Sequence, residues 1–114
     1  MKVMKYDDVP AEDVVEEGAE GVAIRWLITK NDGAPNFAMR HFQISPGGHT
    51  PLHSHPWEHE VFILEGNGAV VRKGQDVRIS EGSFVFVPAG ETHQFRNDGN
   101  VGMSLICLIP NPKD

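Results

Sequence analysis

The sequence predicts an all-β fold, a sandwich or barrel of many short strands. Three observations carry this. Apolar residues recur in short alternating runs instead of at helical spacing. Twelve glycines and eight prolines punctuate 114 residues, which suits frequent turns. No segment sustains the 3.6-residue pattern of a long helix. The hydrophobic fraction of 39% is enough for one core, and the length fits one domain.

The elements follow in order. Residues 1–20 are acidic and read as an N-terminal arm, in which Met1–Tyr6 can form a short strand and Glu16-Glu17-Gly18 marks an exposed approach. The folded domain is expected over 21–114. Val22–Thr29 alternates, with Val22, Ile24, Trp26 and Ile28 on one face. Residues 30–35 read as a loop, Phe37–Ser45 as a strand, and Pro46-Gly47-Gly48 as a turn. His59–Leu64 and Ala69–Arg72 flank Glu65-Gly66-Asn67-Gly68, which reads as a hairpin. Val77–Ile79, Ser83–Val87, His93–Phe95 and Val101–Ile109 complete the strands, with a turn at Asn97-Asp98-Gly99-Asn100. In the last strand Val101, Met103, Leu105, Cys107 and Ile109 share the apolar face, so Cys107 is expected inside. Trp26, Phe37, Met39, Phe84, Phe86 and Phe95 are candidates for the core or for the wall of an apolar pocket. Arg25 and Arg40 lie on strands, where they either meet an anionic substrate or, as the favoured reading, face solvent.

The formal charge of −6 argues against nucleic-acid or anionic-lipid partners, since both require basic patches. No apolar run approaches the roughly 20 residues of a membrane-spanning helix, and Met1–Asp8 lacks the apolar centre of a signal peptide. The single cysteine, Cys107, excludes an internal disulfide framework and fits a reducing cytoplasm.

Histidine placement is the chemical signal. His53, His55 and His59 lie within seven residues, and His93 follows a glycine-rich stretch. Strand alternation puts His53 and His55 on one face, and His59 with Val61 and Ile63 on the inward face of the next strand. Glu60 then shares the other face with Phe62 and Leu64. Neutral imidazole is the commonest protein metal ligand. His41 and His49 lack such context and read as ordinary core or surface histidines.

These positions match two motifs. Gly47, His53, His55 and Gly66 follow the pattern of glycine, five residues, His-x-His, three or four residues, glutamate, six residues and glycine, with His59 where the glutamate is usual. Gly82, Pro88, Gly90, His93 and Asn97 follow glycine, five residues, Pro-x-Gly, two residues, histidine, three residues and asparagine. Over Gly47–Asn97 the chain resembles the cupins. The resemblance implies a double-stranded β-helix, or jelly-roll, barrel with an inward-facing metal held by His53, His55 and His93. It departs at the fourth ligand, where most metal-binding cupins have glutamate. His59 satisfies both motif spacings and Glu60 only one, so His59 is the favoured ligand, as in a four-histidine subset of small cupins.

The resemblance implies one divalent transition ion: manganese, iron, nickel, copper or zinc. Four imidazoles leave the ion its full charge and suit iron, copper, nickel and zinc. An octahedral ion would keep two positions for oxygen, water or a bidentate substrate. Glu58 and Glu60 are nearby carboxylates, and no catalytic residue is assigned. The expected function is a metal-dependent, dioxygenase-type oxidoreductase acting on a small organic molecule, and the alternative is a non-catalytic small-molecule or metal-binding module. A homodimer is expected, because jelly-roll sheet edges need cover and cupins commonly pair sheets or exchange N-terminal strands.

Overall fold

A computed structural model describes residues 1–111, and the last three residues of the expected 21–114 domain lie outside them. The strands are β1 (Glu12–Asp13), β2 (Glu20–Ile28), β3 (Phe37–His49), β4 (His59–Glu65), β5 (Asn67–Arg72), β6 (Gln75–Ser80), β7 (Phe84–Val87), β8 (His93–Arg96) and β9 (Met103–Pro110). They form one curled antiparallel sheet in the order β6-β5-β8-β3-β9-β4-β7, with β2 and then β1 alongside β3. The fold is the jelly-roll barrel expected from the motifs. No helix among the described residues is long and apolar enough to cross a membrane.

Strand β3 joins the two halves of the barrel. Its first part pairs with β9 from Phe37↔Pro110 to Ile44↔Met103, and its last residue, His49, pairs with Arg96 of β8. The expected turn at Pro46-Gly47-Gly48 is instead an irregularity within this continuous strand. The register against β2 slips between Glu20↔His49 and Val22↔Ile44, and Gly47 takes φ +81°. Such a bulge bends a strand without ending it.

The hairpin expected at Glu65-Gly66-Asn67-Gly68 is not made. β4 pairs with β7 and β9, whereas β5 pairs with β6 and β8, so the short link at Gly66 passes the chain from one half of the barrel to the other. The tight hairpin lies one strand later, at Lys73-Gly74, where both residues have positive φ as a two-residue primed turn requires. Gly68 is needed for space, because a Cβ there would lie 2.1 Å from the Arg96 carbonyl oxygen.

The core consists of inward residues from both halves. Ile44, Ile63, Ala69 and Met103 have no exposure. In β4 the alternation is complete, with His59, Val61 and Ile63 inside and Glu60, Phe62 and Leu64 outside. Phe84 (80% exposed), Phe86 and Phe37 lie on the outer surface, against the expectation of a pocket wall. Their strand positions share parity with outward residues. Met39 also faces outward, beneath Met4 and Tyr6 of the arm. In β9, Met103, Leu105 and Cys107 are buried as expected, but Val101 precedes the strand and is exposed. The arm lies along its own chain. Lys2 Nζ donates to the Leu27 carbonyl at 2.9 Å, and Arg25 Nε donates to the Val9 carbonyl at 2.9 Å.

Asn97, the last residue of the second motif, is 1% exposed. Its Nδ2 donates to the carbonyls of Ile44 (2.9 Å) and Val101 (2.8 Å), and its Oδ1 accepts from Gly99 N (3.0 Å). Its backbone exchanges two further bonds with Gly47 and Gly48. Truncation removes three hydrogen bonds of a buried side chain, one of them to the fully buried Ile44 carbonyl, so Asn97→Ala is expected to cost about 3 kcal/mol. Urea unfolding measures this, and a change within about 0.5 kcal/mol would show that these bonds are dispensable.

Candidate metal centre

His53 and His55 do not sit on a regular strand. They occupy the irregular segment before β4, and their convergence has a different cause from strand alternation. His53 forms an isolated antiparallel bridge with His93, His53 N donating to His93 O (3.2 Å) and His93 N to His53 O (2.9 Å). Gly90 N donates to His55 O at 2.8 Å, which ties the same loop to the Pro88–Gly90 turn. The two motifs are thus stitched together through the backbones of the residues that carry the imidazoles.

Ligand atoms of His53, His55 and His93 all lie within 4.8 Å of one another and could hold a metal ion. His59 stands beside them, stacked on His55 with ring centroids 4.3 Å apart and the two Nε2 atoms at 2.5 Å. Two imidazole nitrogens at adjacent positions on one ion would be about 3 Å apart, given metal–nitrogen bonds near 2.1 Å. Glu60 points to the outer surface. His41 and His49 lie elsewhere: His41 is buried against Tyr6, and His49 is turned toward the Thr50 carbonyl (3.2 Å) and Glu20 (3.7 Å).

Each ring of the cluster is held by its Nδ1. His55 donates to Trp57 O (2.9 Å) and His93 to Glu91 O (2.9 Å). His53 Nδ1 lies 3.4 Å from Glu16 Oε1, and His59 Nδ1 lies 3.0 Å from Cys107 Sγ. A carbonyl only accepts, so His55 and His93 carry their proton on Nδ1 and present a bare Nε2. Such outer partners fix tautomer and orientation in metal sites. The donor set therefore fits a first-row divalent ion. Glu16 belongs to the arm, and its role carries no signal in the sequence.

His53, His59 and His93 line a cavity of about 270 Å³. Val14, Val22, Ile24, Val61, Phe95 and Leu105 make most of its wall. Arg40 lines it too, contrary to the solvent-facing assignment. Its Nη2 donates to Cys107 Sγ at 3.0 Å, and its guanidinium lies over the rings of Trp26 (5.5 Å) and Phe42 (5.0 Å). Parity could have revealed it, because Arg40 alternates with the buried Ala38 and Ile44. Arg25 is on the opposite face, over Tyr6.

Burial lowers the pKa of His59 to about 3, with smaller contributions from the neighbouring positive charges of His55 and Arg40. Burial also lowers His55 and His93. It raises the Cys107 thiol, against the pull of Arg40.

Residues 40–109 match the Cupin domain family. The chain belongs to the cupin family. This cupin is 37% identical to the polyketide cyclase RemF from Streptomyces resistomycificus, with a TM-score of 0.93 covering 98% of this chain and 80% of that one. It is 27% identical over 111 residues to the tetracenomycin polyketide synthase protein TcmJ of Streptomyces glaucescens, covering 92% of this chain and 74% of that protein. It is also 35% identical over 68 residues to an oxalate-binding protein of Thermotoga maritima, covering 59% of this chain and 56% of that protein. Among the curated relatives that it matches, this cupin spans from 16% to 74% of their length.

A pH dependence follows from the buried rings. As pH falls, the unfolded chain takes up protons from about pH 6.5, whereas folded His59 resists until about 3. The unfolded state then binds more protons, so stability is fully present above about pH 6.5 and declines as pH drops toward 3. Chelator-treated protein is expected to melt at lower temperature at about pH 5 than at about pH 7.5, with a shallower dependence in His59→Gln. Equal melting temperatures for wild type at both values would contradict the account.

Proposed function

We propose that this cupin binds one divalent transition ion through His53, His55, His59 and His93 and uses it to close a ring on a flat, carbonyl-rich organic substrate. The observation that supports this best is that His53, His59 and His93 line a largely apolar cavity, with His55 beside them. The likeness to a polyketide cyclase over nearly the whole chain agrees with it. An ion held by neutral imidazoles supplies Lewis-acid stabilisation of negative charge on a carbonyl oxygen. The protein's own part is to orient and to exclude water. Aliphatic walls remove solvent from the reacting carbons, and the anchored Nδ1 atoms keep the four rings from rotating.

Ring closure of this kind balances without an oxidant. A methylene carbon loses a proton, its electron pair forms a bond to a carbonyl carbon, and the carbonyl oxygen takes a proton. The dioxygenase-type reading shares the metal and the cavity but consumes oxygen. A neutral donor set that suits iron or copper favours it. Its single cysteine fits a protein of the reducing cytoplasm.

Two measurements test the proposal. Protein purified without a tag is expected to carry near-stoichiometric metal. His59→Ala is expected to weaken metal binding at least about tenfold, with little change for Glu60→Ala. The opposite order would make Glu60 the fourth ligand. Metal-loaded protein with a synthetic poly-β-ketone is expected to give a cyclised product under strict anaerobiosis. Oxygen uptake coupled to product would establish the oxidative reading instead. Tight metal binding without turnover of either kind would leave a binding module.

The homodimer belongs to the same proposal. Phe62 (48% exposed), Phe84 (80%) and Phe86 (58%) lie on adjacent strands of the outer face, and contiguous exposed aromatic residues mark interaction surfaces. Glu60 borders it on one side and Arg72 on the other, so a two-fold apposition can pair unlike charges. Light scattering is expected to give twice the 12.6 kDa chain mass, and Phe84→Glu to give the monomer mass. A wild-type monomer at micromolar concentration would refute pairing through this face.

A further inference from the structure

Arg40 is the one lysine or arginine that lines the cavity. A guanidinium stays charged at any pH a protein tolerates, and a charge taken out of water is costly unless an anion pairs with it. Arg40 makes no ion pair among the described residues. Its Nη2 is given to the Cys107 sulfur, whose thiol burial keeps protonated. The faces of Trp26 and Phe42 offer cation–π attraction, which offsets part of the desolvation but neutralises nothing. The Nε–H is buried and has no acceptor. The nearest structural counterpart among the lining groups is Glu16, and its carboxylate is turned to His53.

The geometry points to Arg40 as the anion-recognition residue of this cavity, selecting substrates that carry a carboxylate on a flat, conjugated body. The fork of the guanidinium suits a carboxylate, which can accept two parallel bonds. The conjugated body would lie against the aromatic and aliphatic wall that already holds the guanidinium in place. The inference deepens the proposed reading, since it names the substrate class of the same cavity and rests on that cavity binding a small molecule. It does not depend on which ion, if any, the histidines hold.

Paired probes of equal shape test this: naphthoate and its neutral amide, titrated by calorimetry and by quenching of tryptophan fluorescence. At about pH 8 ordinary imidazoles are neutral, so Arg40 is the cavity's permanent cation. Chelator-treated wild type is expected to bind naphthoate at least about tenfold more tightly than naphthamide, the range of a charge-assisted bond. Arg40→Gln is expected to abolish that preference by weakening naphthoate alone, leaving naphthamide within about twofold. Arg40→Lys is expected to restore part of it, since lysine keeps the charge but lacks the fork. A purely packing role for Arg40 would weaken both probes together, and that result overturns the inference. So does a wild type that binds the two probes equally or binds neither, or a preference that survives Arg40→Gln. Metal stoichiometry of untreated wild type and Arg40→Gln, measured beside the titration, separates the two proposals. Failure of the metal site leaves the preference intact, and failure of Arg40 recognition leaves metal stoichiometry intact.

Discussion

The reciprocal backbone pair between His53 and His93 is the contact on which this site depends. Imidazoles separated by forty positions in the chain become neighbours because their own main chains exchange two hydrogen bonds. The pair needs both loops in place. The Pro88–Gly90 turn delivers His93 and also donates to His55 O, and the Asn97 side chain anchors the segment after β8 to Ile44 and Val101. The motif residues that ligate nothing are therefore the ones that hold the ligating residues in register. Disturbing any of them would move a donor atom by fractions of an ångström, which metal geometry does not tolerate well.

Burial does two opposed things at the centre. It lowers the pKa of the rings, so they stay neutral and able to bind metal in mildly acidic solution. It also makes every charge in the cavity expensive. Three rings that burial keeps neutral, a protonated thiol and one guanidinium leave the cavity with positive charge and little to balance it, even though the whole chain carries −6. Net charge and local charge have opposite sign here. The overall value speaks to partners at the outer surface, whereas the small-molecule chemistry is governed by the few groups sealed inside.

The sequence by itself determined the fold class, the two motifs and three histidines, His53, His55 and His93, whose ligand atoms the structure brings together. Alternation was sufficient for β4, because a strand with one wet and one dry face allows a single inward register, and this puts His59 in and Glu60 out. It failed for Phe84 and Phe86, because an apolar residue on a strand reads the same whether it faces a core or an outer patch. Three further matters were decided only by the tertiary structure. Whether Gly66 closes a hairpin or passes the chain between sheet halves depends on which strands pair, a non-local property. His53 and His55 meet through a bridge to a distant loop and not through a strand period. What Arg40 meets on its inward face, the Cys107 sulfur of β9 and the rings of Trp26 from β2 and Phe42 from its own strand, depends on which strands pack around it. The physical reason is common to all three: local pattern sets which face a side chain takes, but only the packing of distant segments decides what that face meets.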